Sequence, residues 1–152
     1  MKKIFIYLKS ILIPLISGAV VGFITSDYMD FNLLIKPNFA PPGFLFPVVW
    51  TILYILMGIS YGILKNKNLT DNKVDKIYYS QLFVNLLWSI IFFVFKWRLF
   101  AYLWILVLIV LVINMIKEFY SRNKISGLLQ IPYLIWIIFA SFLNLSIYLL
   151  NR

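Results

Sequence analysis

The sequence predicts an all-α integral membrane protein: a five transmembrane helix bundle forming a single domain over residues 1–152. Three observations predict it. Hydrophobic residues make up 63% of the chain and charged residues only 12%, with a mean hydropathy of +0.94; an ordinary soluble domain carries about 25% charged residues. The apolar residues gather into five runs, each near the ~20 residues needed to cross a ~30 Å hydrocarbon core. The 14 basic residues sit in short clusters between those runs. Helices follow rather than strands, because an open sheet edge leaves backbone groups that lipid cannot satisfy.

The first run, 4–25, follows Lys2 and Lys3 and contains Lys9 near its start, where a long side chain reaches back to the interface. Pro14 is placed to kink it. Gly18 and Gly22 lie four apart and form a small surface that admits a neighbouring helix. A basic start and an apolar run also describe a secretory leader, but no small-x-small cleavage site follows, so the segment is expected to be retained. The second run, 44–64, carries a similar pair, Gly58 and Gly62. Residues 65–76 are polar and rich in turn formers, and are expected to be a loop. The third run is 77–95, closed by a basic turn at Lys96-Trp97-Arg98. The fourth is 99–116, ending in polar residues 117–124, and the fifth is 125–150.

Loop charge predicts orientation. Lys2, Lys3 and Lys9, then Lys65, Lys67, Lys73 and Lys76, then Lys117, Arg122 and Lys124 share the N-terminal side. The other side holds only Lys36, Lys96, Arg98 and Arg152. The basic excess places the N-terminus inside, in the cytoplasm. The formal charge of +9 suits lipid headgroups rather than nucleic acid, because it is broken up by apolar spans. The chain has no Cys and no His, which removes disulfides, the commonest metal ligand and the usual haem axial ligand. No metal site and no obligatory cofactor are expected.

Residues 36–54, KPNFAPPGFLFPVVWTILY, organise the rest. Pro41 and Pro42 fix φ and stiffen the approach, Gly43 permits the bend, and Pro47 falls in the first helical turn, where a missing N–H costs little. Trp50, Tyr54 and Gly58 then share a helix face. Gln81, Asn85, Trp88 and Phe92 share another, and Tyr133, Trp136, Ala140 and Asn144 a third. Convergence of the three faces would enclose an apolar cavity walled by aromatic rings and suited to a large flat ligand. The same pattern also suits amides that join helices and aromatics that fill a core or a headgroup belt.

Lys36, Pro37, Phe39, Pro41, Pro42, Gly43, Phe46, Trp50, Leu53 and Tyr54 resemble the signature of the tryptophan-rich sensory protein/translocator protein (TspO/MBR) family. Residues 85–89 are similar to that family's third helix, and residues 132–136 with 139–141 to its fifth. The resemblance implies a ligand pocket beneath the proline-rich loop. Its expected residues are Phe31, Pro41, Pro42 and Gly43 from the loop, Trp50 and Tyr54 from the second helix, Asn85, Trp88 and Ser89 from the third, and Tyr133, Trp136 and Ala140 from the fifth. It further implies a homodimer in a bacterial cell membrane that binds tetrapyrroles such as protoporphyrin IX or haem, and transports them or senses stress. An enzyme that degrades porphyrin with light and oxygen is the alternative, with Trp50 and Trp136 as its candidates. A sterol or drug-like ligand scaffold is a third; Leu143, Tyr148 and Arg152 fit a loose cholesterol-contact pattern. Two positions depart from the family. Phe39 stands where Trp is usual, and Trp104 where an acidic residue is expected.

Overall fold

Five helical stretches long and apolar enough to cross a membrane run back and forth through the chain. The structure, a computed structural model, describes residues 1–152. The helices are α1 (Lys2–Ser26), α2 (Leu45–Asn66), α3 (Asn72–Ser89), α4 (Arg98–Arg122), the short α5 (Lys124–Leu128) and α6 (Ile131–Leu150). A 3-10 turn, Phe31–Leu33, interrupts the first loop, and a π turn, Ile90–Val94, ends the third span.

Three boundaries differ from the sequence expectation, two for local reasons and one through contacts across the bundle. The third helix begins at Asn72 rather than residue 77. The Asp71 carboxylate accepts the Val74 amide at 2.9 Å, and Asp75 sits in the first turn, where a negative charge faces the helix dipole favourably. The Val74 amide, then the Arg122 guanidinium, hold the Asp71 carboxyl below the usual carboxylate range. The fourth helix continues past 116 to Arg122. Glu118 accepts from Arg122 one turn on and pairs with Lys73 of α3 at 2.8 Å, while Arg122 also reaches the Leu69 carbonyl and Asp71. The fifth run is two helices, not one. Asn123 caps α5 through the Ser126 amide at 3.0 Å, and Pro132 in the first turn of α6 cannot donate the bond that would continue α5 into it.

The glycines set how closely α1 and α2 approach. A Cβ on Gly58 would overlap Ile11 Cα and stand 2.6 Å from the Ser10 carbonyl oxygen, and one on Gly62 would stand 2.8 Å from the Tyr7 ring. One on Gly18 would drive into the Tyr54 ring. Gly18, Gly58 and Gly62 therefore serve contacts within this chain. Gly22 has no atom within 4 Å of its would-be Cβ. In lipid there is no hydrophobic drive to bring helices together, so this backbone contact and its dispersion energy carry much of the association. The core lies between α2, α3, α4 and α6, and Tyr61 and Tyr78 stack within it at 4.2 Å and 5°.

Gly58→Ala is expected to push α1 off α2 and to cost ~1–3 kcal/mol as overpacking, while Gly22→Ala leaves stability unchanged. Thermal unfolding in detergent, followed by helical circular dichroism, checks both: a Tm several degrees lower for the first variant only.

Candidate functional site

A cavity of about 350 Å³ lies under the first loop. Four spans line it. α1 presents Leu15, Gly18, Ala19 and Gly22. α2 presents Trp50, Thr51 and Tyr54. The end of the third span contributes Trp88, Ser89, Phe92 and Phe93. α6 closes the far side with Ala140, Leu143, Asn144 and Ile147. Phe31 and Gly43 cover it from the loop, and Phe46 from the first turn of α2. No residue of α4 or α5 takes part. The π turn is what brings both Phe92 and Phe93 to the wall, since its extra residue per turn rotates the last part of the span; Phe95 N bonds Ile90 O at 3.0 Å to close it.

The aromatic faces do not converge as three equal walls. Trp50 stacks on Tyr54 at 5.6 Å, and Trp88 on Phe92 at 5.1 Å. Behind them runs a chain of buried hydrogen bonds. The Tyr54 hydroxyl donates to Asn85 Oδ1 at 2.9 Å, Asn85 Nδ2 donates to the Tyr133 hydroxyl at 2.7 Å, and Tyr133 donates to Gln81 Oε1 at 2.8 Å. Asn85 and Tyr133 thus stand behind the cavity wall, with their polar groups committed to one another. Trp136 also stands back: it packs edge-on against Phe46 at 5.8 Å and lies tilted against Phe139 at 5.4 Å. Its indole Nε1 is buried without an acceptor. Pro41 and Pro42 shape the loop without reaching the cavity; Pro42 O accepts from Leu45 N at 3.0 Å as α2 begins. Of the residues expected from the sequence, the cavity brings together Phe31, Gly43, Trp50, Tyr54, Trp88, Ser89 and Ala140.

The wall supplied by α1 was missed. Its signal was the run of small residues Gly18, Ala19 and Gly22 in an otherwise bulky helix, a pattern that equally marks helix packing. The two departures from the family pattern lie outside the cavity. Phe39 meets Phe139 edge-on at 6.1 Å. Trp104 donates its indole N–H to the Val84 carbonyl at 2.8 Å, joining α4 to α3.

The covering loop is tied down at several points. Asn151, just after α6, accepts from Ile35 N at 2.9 Å and donates to Ile35 O at 2.8 Å. Asp30 pairs with Arg98 at 2.6 Å and with Lys96 at 3.6 Å. Lys36 donates to Phe31 O at 3.0 Å, and Phe31 meets Phe46 edge-on at 5.0 Å. The Arg98 carbonyl accepts from Asn144 Nδ2 at 2.8 Å, and Asn144 Oδ1 accepts the Trp88 indole N–H at 3.0 Å. Loop position and Trp88 orientation are therefore mechanically joined through Arg98 and Asn144. Asp30 Oδ1 and Arg98 Nε are buried without partners, so the latch is one strong contact rather than a bidentate fork.

Asp30→Ala removes the counter-charge from a mostly buried Arg98 and is expected to free the loop. Hydrogen exchange over residues 31–36 should quicken several-fold, with exchange in α3 and α4 unchanged.

The profile of the TspO/MBR family matches residues 10–150. The tryptophan-rich protein TspO of Archaeoglobus fulgidus is 41% identical over 145 residues, covering 93% of this chain and 94% of that protein. The protein of the same name from Chlorobaculum tepidum is 36% identical, with 86% and 89% covered. Protein CrtK of Rhodobacter capsulatus is 38% identical, with 86% and 83% covered. With five apolar spans, a proline-rich loop latched over an aromatic cavity, and a match along nearly its whole length, this chain belongs to the TspO/MBR family of integral membrane proteins.

Proposed function

We propose that the cavity binds a flat, largely apolar tetrapyrrole such as protoporphyrin IX or haem, and that the chain works as one five-helix unit in a bacterial membrane. The observation that carries this reading is the pair of indoles, Trp50 and Trp88, on two different helices around one apolar cavity beneath a latched loop. Its volume falls within the range typical of small-molecule sites, about 300–1,000 Å³. Ring stacking and apolar contact would supply the affinity. With Asn85 and Tyr133 bonded to each other, and Asn144 taken up by the Trp88 indole and the Arg98 carbonyl, the polar groups left at the cavity are the Thr25, Thr51 and Ser89 hydroxyls. Lys36, whose ammonium lies 4.8 Å from the Phe31 ring centroid, is the basic group assigned to the ligand's carboxylates. No His or Cys is available as an axial ligand, so haem would be held by its faces and edges. A homodimer, as the resemblance implies, would use a face other than Gly58 and Gly62, which contact α1 of the same chain.

Trp50→Ala and Trp88→Ala are each expected to weaken porphyrin binding roughly 2- to 12-fold from lost stacking of 0.5–1.5 kcal/mol, with lost apolar contact added. Trp97→Ala, at an indole 60% exposed, should bind as the native protein does. Equilibrium fluorescence quenching with equally helical variants measures this; normal binding by both cavity variants removes the assignment. Illumination of the complex in air adds a second reading of the same site: unchanged porphyrin supports binding alone, and a defined new chromophore supports a degrading enzyme.

The N-terminus is assigned to the cytoplasm from the basic excess on its side. Single cysteines at Asn38 and Asn68 should then label from opposite faces of intact cells, Asn38 from outside. Labelling of Asn68 alone from outside inverts the assignment.

A further inference from the structure

Far from the cavity, at the N-terminal end of the bundle, α3 and α4 leave a cleft of about 580 Å³ between them. Lys73, Lys76 and Ser80 line it from α3, and Asn114, Lys117 and Ser121 from α4. Its floor is apolar, formed by Ile77 and Leu111. The charges are unevenly matched. Glu118 is taken up by Lys73 at 2.8 Å and Arg122 at 2.7 Å, which leaves Lys76 and Lys117 exposed with no carboxylate partner.

The depth of the polar groups is the second observation. Asn114 lies two turns before Arg122, and Ser80 two turns after Asn72, so both are about 12 Å from the same ends of their helices. α4, at 25 residues, is about 37 Å long and overhangs a ~30 Å core by only a few ångströms at each end. Asn114 therefore stands inside the hydrocarbon boundary. It is exposed there, on the stripe that continues Leu103, Val107 and Val110, all exposed and apolar. An amide facing lipid without a hydrogen-bonding partner is costly. Something polar must reach down to it from the headgroup region.

We infer that this cleft is a binding site for one anionic phospholipid. Its phosphate sits between Lys76 and Lys117, its ester oxygens meet Ser80 and Asn114 a turn deeper, and an acyl chain follows Ile77 and Leu111 toward the membrane centre. Charge decides against the other occupant that would cover a polar helix face, a second copy of this chain. Two such faces in a symmetric contact would set Lys76 and Lys117 against their own counterparts. Basic pockets between membrane helices are suited to acidic lipid headgroups, and the chain's lysine excess on this side is where such lipid would concentrate. The site uses no residue of the proposed tetrapyrrole cavity and stands independently of it.

The test is native mass spectrometry of the full-length protein in detergent with phosphatidylglycerol or phosphatidylcholine. The native protein should retain phosphatidylglycerol several-fold better than phosphatidylcholine. Lys76→Gln with Lys117→Gln should abolish that preference, and Asn114→Leu should reduce it. Lys96→Gln with Arg152→Gln, which removes the same charge at the other end of the bundle, should leave it intact. Equal loss in that second pair makes the preference a bulk charge effect and overturns the site. Full competition by inorganic phosphate also overturns it, since a free anion would then be the ligand and the lipid chain irrelevant. A change from dimer to monomer in Asn114→Leu, with lipid retention unaltered, assigns the face to a second copy instead. Equal retention of both lipids by the native protein defeats the inference without recourse to any variant.

Discussion

The bond from Tyr54 to Asn85, and on through Tyr133 to Gln81, is the constraint on which the rest of the bundle depends. It joins α2, α3 and α6 at one level with three hydrogen bonds, each between 2.7 and 2.9 Å. Within a membrane no water competes for these groups. Each hydroxyl and amide must find its partner inside the protein, and the directionality of that partner sets helix register in a way that apolar contact alone does not. Tyr54 is fixed from its other side by Gly18, where the absence of a Cβ lets the ring lie against α1. The position of one phenol therefore sets how far apart four of the five spans stand. The cavity is the space left above it.

That constraint also separates structure from recognition at the site. Tyr54 has two faces of use: its hydroxyl belongs to the buried chain, and its ring belongs to the cavity wall beside Trp50. Asn85 and Tyr133 spend their polar groups on each other and on Tyr54 and Gln81, behind the cavity wall. The chemistry offered to an occupant is consequently simpler than a count of nearby polar residues suggests. It consists of aromatic rings, the hydroxyls of Thr25, Thr51 and Ser89, and small gaps in α1.

Above the cavity the loop is governed by a different physics. Near the headgroups charge is tolerated, and Asp30, Arg98 and Lys96 form an ionic latch at the level where α4 begins. The Arg98 guanidinium also lies 5.3 Å from the Phe92 ring centroid, and its carbonyl anchors Asn144, which in turn orients Trp88. One residue thus touches the loop, a ring of the wall and the partner of a second ring. The latch and the wall are one assembly, and displacement of the loop would be felt at Trp88 without any large movement of a helix.

The sequence by itself determined the class of the fold, the number of spans and the family. Long apolar runs separated by basic clusters have one stable solution in a bilayer, and KPNFAPPGF followed by a helical Trp–Tyr pair is distinctive enough to read without coordinates. Seven of the residues that the resemblance places at the site also line the cavity; for Trp50 with Tyr54 and for Trp88 with Phe92, spacing of three and four along a helix gives the shared face as well. Only the tertiary structure decided which of those faces look into open space and which look into each other. Asn85, Tyr133 and Trp136 share faces with cavity residues yet stand behind the wall, since rotation of a helix by a fraction of a turn is fixed by its neighbours and not by its own periodicity. The contribution of α1 was hidden for the same reason: small residues signal close approach, and the sequence does not say whether a helix or an empty space is what they approach. The early start of α3 and the break before α6 depend on Asp71, Asn123 and Pro132 acting locally. The long reach of α4 depends on Arg122 finding Asp71 and Leu69 across the bundle, a contact that exists only once the helices have packed.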